Sequence, residues 1–123
     1  MKMTKWVPTT NLMMLRRMGK LIEEMNELGT VAARCIIQGI DEVDPSSGEV
    51  NRERLWHEIA DVYAQLDETV ARLALGAEAI EARRAVKRGY MQEWEAMFEE
   101  PKPVSVDFEK QREEYEGIHP CYD

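Results

Sequence analysis

The 123-residue sequence has few cysteines and no long apolar run, and each shortage excludes a class of protein. Its two cysteines, Cys35 and Cys121, are no disulfide framework, so both are predicted to be free thiols in a reducing compartment. No apolar stretch approaches the roughly 20 residues that a membrane span needs, and the start MKMTKWVPTT has no signal-peptide apolar region. We therefore expect a cytoplasmic protein with no membrane partner.

Basic residues are also in short supply, with 16 Lys and Arg against 24 Asp and Glu and a net charge of −8. General nucleic-acid binders need a basic surface to contact phosphate backbones, so we expect no nucleic-acid partner. A small phosphorylated ligand stays compatible with this charge, because a divalent cation inverts the local sign of an acidic site. The length fits one domain, and 33% charged residues beside 44% hydrophobic ones are typical of a helix-rich protein.

Three long stretches place apolar residues at the three- and four-residue spacing of an amphipathic helix. The predicted helices cover about residues 11–37, 51–75 and 77–98, with a short charged one over 107–116. Thr9 or Thr10 is expected to cap the first helix, and Gly76 to end the second. The loop DEVDPSSGEVN separates the first two helices, and no strand-like alternation occurs. The predicted fold class is therefore all-α, an antiparallel helical bundle over residues 1–100 with a charged tail over 101–123.

The apolar stripes of the two long helices are expected to form the core. They comprise Leu12, Leu15, Met18, Leu21, Ile22, Met25, Leu28, Val31, Ala32, Cys35 and Ile36 in the first helix, and Leu55, Ile59, Val62, Leu66, Val70 and Leu73 in the second. The stretch NLMMLRRM is apolar on more than one face, so either a second copy covers it or methionine fills an irregular core. The first alternative predicts that oligomerisation completes the bundle, as a homodimer or homotetramer.

Acidic pairs lie beside the apolar stripe of both long helices. LIEEMNEL contains Glu24 and Glu27, and LWHEIADV contains Glu58 and Asp61. Residues three or four apart share a helix face, and each pair lies one turn from residues of the stripe. If the two helices are antiparallel, the pairs face each other across the seam between them.

Four carboxylates that converge on one seam repel each other. At an effective dielectric of about 20, two unit charges roughly 5 Å apart cost about 3 kcal/mol, so the cluster needs a positive partner. Ligands that offer only oxygen favour a hard cation, and the sequence predicts a Mg²⁺ site with Mn²⁺ as a substitute. The alternative is a pair of ordinary solvated faces, but the repeated spacing on consecutive helices favours the metal site.

Two other metal-binding patterns are weaker. HEIAD resembles the zinc-protease motif HExxH, but Asp61 stands in place of the second histidine. His57 is therefore expected to be exposed or to support another ligand. His119 and Cys121, in HPCYD, offer only two ligands in a terminal tail.

The order Glu23, Glu24, Glu27 and then Glu58, Asp61 resembles the EExxE…ExxD signature of the MazG-like all-α nucleoside triphosphate pyrophosphohydrolases. The resemblance covers about residues 12–94, and GKLIEE and EIADV are similar to short, phage-encoded, single-domain members. It implies a hydrolase that cleaves a nucleoside or deoxynucleoside triphosphate between the α- and β-phosphates, giving the monophosphate and pyrophosphate. It also implies dimers or tetramers whose sites lie between helices of neighbouring subunits.

The resemblance also assigns roles to the acids. Glu24, Glu27, Glu58 and Asp61 would be the metal ligands. Glu23 would orient the attacking water, and Glu23 or Glu24 is by position the candidate general base.

Phosphate-binding cations are implied by the same resemblance. In EARRAVKRGY, the residues Arg84, Lys87 and Arg88 share one helix face, where family members carry phosphate-binding residues shortly before an aromatic. Arg54, one turn before Glu58, matches a position where relatives have lysine. Arginine keeps the charge but changes the geometry, and the alternative for each of these residues is surface solvation.

Base recognition has four candidates, one aromatic and three polar: Trp6, Asn11, Arg34 and Gln38. The alternative for Trp6 is a plug over the core. Similarity to phage members makes a deoxypurine triphosphate such as dGTP the first candidate substrate. The rival function is a non-catalytic acidic helical interaction module, whose glutamates are simply solvated.

Overall fold

Three α-helices follow one another within residues 3–98. The computed structural model describes residues 3–98, 109–110, 112–113 and 117, and places α1 at Leu12–Gln38, α2 at Asn51–Arg72 and α3 at Ala77–Glu95. Within those residues the only extended pairing is one antiparallel bridge between Val43 and Val50. The all-α prediction is confirmed.

The expectations for the tail fall almost wholly outside the described residues. Of the predicted short helix, positions 109, 110, 112 and 113 are helical, and the other positions of 107–116 lie outside the description. His119 and Cys121 lie outside it as well. None of the described helices is both long and apolar enough to cross a membrane.

The side chain of Asn11 caps α1. Its Oδ1 accepts a hydrogen bond from the backbone N–H of Met14 at 3.0 Å, which satisfies one of the free donors in the first turn. Thr9 supports Asn11 instead, because its Oγ1 accepts from the Asn11 N–H at 3.3 Å. The prediction that Thr9 or Thr10 is the cap was therefore wrong by one or two positions.

The end of α2 also differs from the prediction. The helix stops at Arg72, and the chain turns at Ala74, whose φ of 50° lies in the left-handed region. Gly76 does not cap α2. Its carbonyl instead accepts from the N–H of Ile80 at 3.0 Å and so opens α3.

The helices α1 and α2 form a hairpin joined by the loop 39–50. Far from the loop, the Arg17 guanidinium donates to Gln65 Oε1. Near the loop, the Cys35 thiol donates to the Asn51 carbonyl at 3.9 Å. Arg17 pairs with Gln65, whereas Cys35, later in α1, pairs with Asn51, which is earlier in α2. The two helices therefore run in opposite directions.

The seam between α1 and α2 buries little apolar side chain. Among the described residues only Val31, 2% exposed, and Val62, 8% exposed, are buried apolar residues. Many residues of the predicted stripes are exposed: Leu12, Leu15, Ile22, Met25, Ile36 and Leu66. Much of the predicted apolar stripe is therefore not buried within one chain, because a helix with several apolar faces buries only the face that meets its partner.

Contacts divide the chain into two units, Met1–Glu81 and Ala82–Asp123. The first contains the hairpin and its loop. In the second, the rings of Trp94 and Phe98 meet edge to face with centroids 4.8 Å apart. The predicted domain limit near residue 100 stays a prediction.

Candidate metal centre

Three carboxylates meet at the middle of the hairpin seam. Each of Glu24, Glu27 and Glu58 offers an oxygen, and these atoms all lie within 4.8 Å of one another. Glu24 and Glu27 come from adjacent turns of α1, and Glu58 reaches them from α2. We call these three residues the acidic centre.

Two of these carboxylates are buried, and each has a partner at only one of its two oxygens among the described residues. Glu24 and Glu58 are each 8% exposed, and the Oε2 atom of each is shielded without a hydrogen-bond partner among the described residues. The Oε1 atoms do have cations nearby: Lys20 Nζ lies 3.3 Å from Glu24, and Arg54 Nη2 lies 3.5 Å from Glu58. A buried carboxylate oxygen without a partner costs free energy, which a bound cation would recover.

The third carboxylate shows the electrostatic cost of the arrangement. The pKa of Glu27 is raised above its ordinary value, mainly because its carboxylate is partly removed from water. The negative charges of Glu24 and Glu58 raise this pKa further. Glu27 is itself exposed, so its side chain can be reached from solvent. An oxygen-only donor set with two unpartnered buried atoms and one accessible member fits a hard divalent ion such as Mg²⁺.

The interhelical loop fixes where α2 starts relative to α1. Asn51, 1% exposed, donates through Nδ2 to Gln38 Oε1 and to the Gly39 carbonyl, both at 3.0 Å. The backbone N–H groups of Asn51 and Arg52 bond to the loop carbonyls of Glu42 and Ile40, so the first donors of α2 are satisfied without a side-chain cap. This registration places Glu58 opposite Glu24.

Asp44 organises the same loop. Its carboxylate accepts hydrogen bonds from Ser46, Ser47 and Gln38 and lies 3.0 Å from Arg34 Nη1. The hydrogen bond from the Ser46 hydroxyl is the main reason why the pKa of Asp44 is lowered. Arg34 and Gln38 were predicted as base-binding candidates, and both side chains are engaged in this network.

The remaining predicted acids do not belong to the acidic centre. Asp61 is exposed and is not part of the three-carboxylate group. Glu23 is exposed, and its Oε2 lies 3.2 Å from Lys20 Nζ. The structure therefore brings together three of the four predicted metal ligands.

The predicted cations and base-binding residues are spread over the chain. Arg54 adjoins the centre, where it bonds Glu49 at 3.0 Å and Glu58, and the hydrogen bond to Glu49 is the main cause of its raised pKa. Trp6 is exposed in the N-terminal arm, and the Asn11 side chain is used by the helix cap. The α3 cations belong to the second unit and are exposed: Arg84, Lys87 and Arg88.

Sequence reasoning missed Lys20 and Arg17. Lys20 precedes Glu24 by four residues, a spacing that predicts contact on a helix, so a signal was available. Its hydrogen bonds to Glu23 and Glu24 raise the pKa of Lys20. Arg17 gave no such signal, because its partner Gln65 lies 48 positions along the chain.

Comparisons with protein-family models, with curated proteins and with solved structures find no match to this chain. What the fold and the site define is therefore a class of architecture: a helical hairpin with a carboxylate centre in its seam.

Proposed function

We propose that this protein is a Mg²⁺-dependent nucleoside triphosphate pyrophosphohydrolase. The observation that carries the proposal is the acidic centre: one oxygen from each of the three carboxylates lies within 4.8 Å of the others, and Glu24 and Glu58 each have a buried oxygen without a partner among the described residues. A purely structural acidic pair would be expected to find donors, as Asp44 does in the loop. The resemblance to the EExxE…ExxD signature supplies the reaction.

In this proposal Glu24, Glu27 and Glu58 would hold the ion, with Asp61 as the fourth ligand that the resemblance implies. A divalent ion there would supply positive charge that offsets the phosphates during displacement. Glu23, which is exposed and lies 3.2 Å from Lys20 Nζ, would orient the attacking water and accept its proton. The water oxygen would form a bond to phosphorus as the P–O bond that bridges the α- and β-phosphates breaks, and pyrophosphate would leave.

The substrate assignment follows the same reasoning. Arg54, beside Glu58, supplies positive charge at the centre, and Arg84, Lys87 and Arg88 are candidates for further phosphate contacts. A deoxypurine triphosphate such as dGTP is the first candidate. With no membrane or nucleic-acid partner, the enzyme would act on the free nucleotide pool of the cytoplasm.

We also propose that the active form is a homodimer or homotetramer, in which bundling is completed between chains. Exposed apolar residues support this: in α1, Ile36 is 86% exposed and Ile37 is 82% exposed. Exposed apolar side chains in this number indicate a covering surface. Light scattering on a sizing column checks the proposal, and a monomer at micromolar concentration would contradict it.

The same exposed residues support a second candidate, a non-catalytic helical interaction module. It would need the apolar surface but not the unpartnered carboxylates. The two functions differ in whether the acidic centre matters to any measurable activity.

The deciding experiment is a panel of nucleoside and deoxynucleoside triphosphates incubated with Mg²⁺ and analysed by chromatography. We expect equal amounts of monophosphate and pyrophosphate. Release of inorganic phosphate alone would indicate a different hydrolase, and absence of turnover would favour the interaction module.

A matched pair of variants makes the panel specific to the acidic centre. Glu58→Gln removes a charge from the centre, whereas Glu53→Gln makes the same change on an exposed face of the same helix. We expect turnover to be lost in the first variant and kept in the second. Equal activity in both would contradict the site.

A further inference from the structure

An open groove of about 560 Å³ lies at the end of the hairpin away from the loop. We call it the basic groove. Its lining residues are Leu12, Met13, Arg16, Arg17, Lys20 and Arg72. Four of these six are cations, in a chain whose acids outnumber its bases by 24 to 16. Such a concentration of positive charge runs against the composition of the protein.

Two arginines of the basic groove have guanidinium N–H donors without hydrogen-bond partners among the described residues. The Nε atom of Arg17 is buried without a hydrogen-bond partner among the described residues, although another guanidinium nitrogen bonds Gln65. Within the same part of the chain, Arg16 has no side-chain hydrogen bond or ion pair. A buried donor without an acceptor costs free energy, so an anionic ligand would be stabilised here.

The other two cations connect the groove to acids. Arg72 lies 3.3 Å from Glu68 on the exposed surface of α2. Lys20 lines the groove and also contacts Glu24 of the acidic centre at 3.3 Å. Lys20 therefore links the groove to the acidic centre.

The order of charges along α1 gives this link a direction. Arg17, Lys20 and Glu24 lie at spacings of three and four residues, which places them on one face over two helical turns. Positive charge comes first and the acidic centre follows. The N-terminal end of α1 adds its partial positive charge on the side of the groove.

We infer that the basic groove holds the terminal phosphates of the nucleoside triphosphate, the β and γ groups that leave as pyrophosphate. This rests on the proposed function of the acidic centre. Three arginines match phosphate oxygens with forked donors, and Lys20 bridges to the acidic centre, where the α–β bond is cleaved. The apolar side chains of Leu12 and Met13 line the groove beside these cations.

The test uses inorganic tripolyphosphate, which has no nucleoside, in buffer stripped of divalent ions. Calorimetry compares the wild-type protein with the double variant Arg16→Gln/Arg72→Gln, which keeps good helix formers at both positions. Arg52→Gln is the control, because it removes one cation at the loop end of α2. We expect tripolyphosphate binding to weaken by about tenfold or more in the double variant and to stay near wild type in the control.

A second measurement tests which part of the nucleotide occupies the basic groove. The double variant should bind a nucleoside monophosphate as the wild type does, while kcat/KM for the triphosphate falls about tenfold. Equal weakening of monophosphate binding would place the nucleoside end in the groove and overturn the inference. Helical melting followed by circular dichroism verifies that the double variant is folded.

The outcomes separate the two proposals. If the protein cleaves triphosphates but the double variant binds and cleaves them like the wild type, the groove assignment fails and the hydrolase proposal stands. If tripolyphosphate binding depends on Arg16 and Arg72 but no nucleotide is cleaved, the hydrolase proposal fails and the groove stands as a polyphosphate site.

Discussion

Asp44 in the loop and Glu58 in α2 are both shielded from solvent, with 3% and 8% of the residue exposed. Both oxygens of Asp44 accept hydrogen bonds, and Arg34 adds an ion pair at 3.0 Å. Glu58 has only Arg54 near one oxygen, at 3.5 Å, and its other oxygen has no partner among the described residues. Both carboxylate oxygens of Asp44 thus have partners, whereas only one carboxylate oxygen of Glu58 does among the described residues.

The pKa directions follow this difference. Hydrogen bonds, from the Ser46 hydroxyl above all, hold the pKa of Asp44 below its ordinary value. Burial and neighbouring carboxylates raise the pKa of Glu27 in the acidic centre. The hydrogen bonds to Asp44 stabilise the loop, whereas the unpartnered oxygens of the acidic centre are compatible with a bound cation. Four predictions test this contrast, from the largest expected effect to the smallest.

Removing a charge from the proposed metal ligands should abolish turnover without unfolding the protein. We expect Glu24→Gln and Asp61→Asn to lower kcat by at least about a hundredfold, because charge neutralisation by the ion is worth several kcal/mol. Glu24→Gln should also raise the melting temperature in metal-free buffer, because it relieves repulsion at a buried position. Rates of pyrophosphate release and thermal melts measure both effects, and full activity in either variant would remove that residue from the ligand set.

Mg²⁺ should stabilise the acidic centre and leave the loop unaffected. At a Mg²⁺ concentration of about 100 times its dissociation constant, the free energy of unfolding should rise by about 2.7 kcal/mol. Urea unfolding with and without Mg²⁺ measures this gain. We expect Glu58→Gln to lose most of it and Glu53→Gln, on an exposed face of the same helix, to keep it. An equal gain in both variants would mean that the ion binds elsewhere.

Asn51→Ala should destabilise the hairpin from the loop end. It removes two hydrogen bonds and leaves the Gly39 carbonyl without one of its donors, so we expect a loss of about 2 kcal/mol in the free energy of unfolding. Asn26→Ala, at an exposed position of α1, is the control and should be neutral or slightly stabilising. Urea unfolding compares the two, and equal stability would show that the loop does not anchor α2.

The difference in stability between the wild type and Asp44→Asn should depend on pH only in the acidic range. Because the pKa of Asp44 in the folded protein lies below its ordinary value of 3.8, the stability it contributes is fully present above that value. The contribution is lost as the pH falls through the folded pKa. The stability gap between the wild type and Asp44→Asn should therefore stay constant at neutral pH and narrow only below 3.8. Unfolding measured from neutral to acidic pH checks this, and a gap that closes near neutrality would contradict it.

Much of the local structure could be predicted from spacing. The predicted span 11–37 agrees with α1 at Leu12–Gln38, and the predicted start of α2 at Asn51 is the observed one. Gly76 was misjudged because a helix end depends on where the backbone finds acceptors, and here the turn falls at Ala74. Glycine is only the commonest residue at such a turn.

The candidate site was partly predictable for the same reason. Glu24 and Glu27 share a face by helical period alone, and so do Glu58 and Asp61. Whether the two pairs meet depends on the register of the hairpin, which Asn51 and Asp44 fix through contacts across the loop. The sequence marked that segment only as a loop.

By itself, the sequence determined the three helices and the faces that carry acid, because those depend on residues within one or two turns of each other. Tertiary structure alone decided which carboxylates are buried, which oxygens lack donors, and that Arg17 meets Gln65 at a basic groove. These depend on pairing between residues far apart in the chain. The spacing of residues within a helix carries no information about which distant residues come into contact.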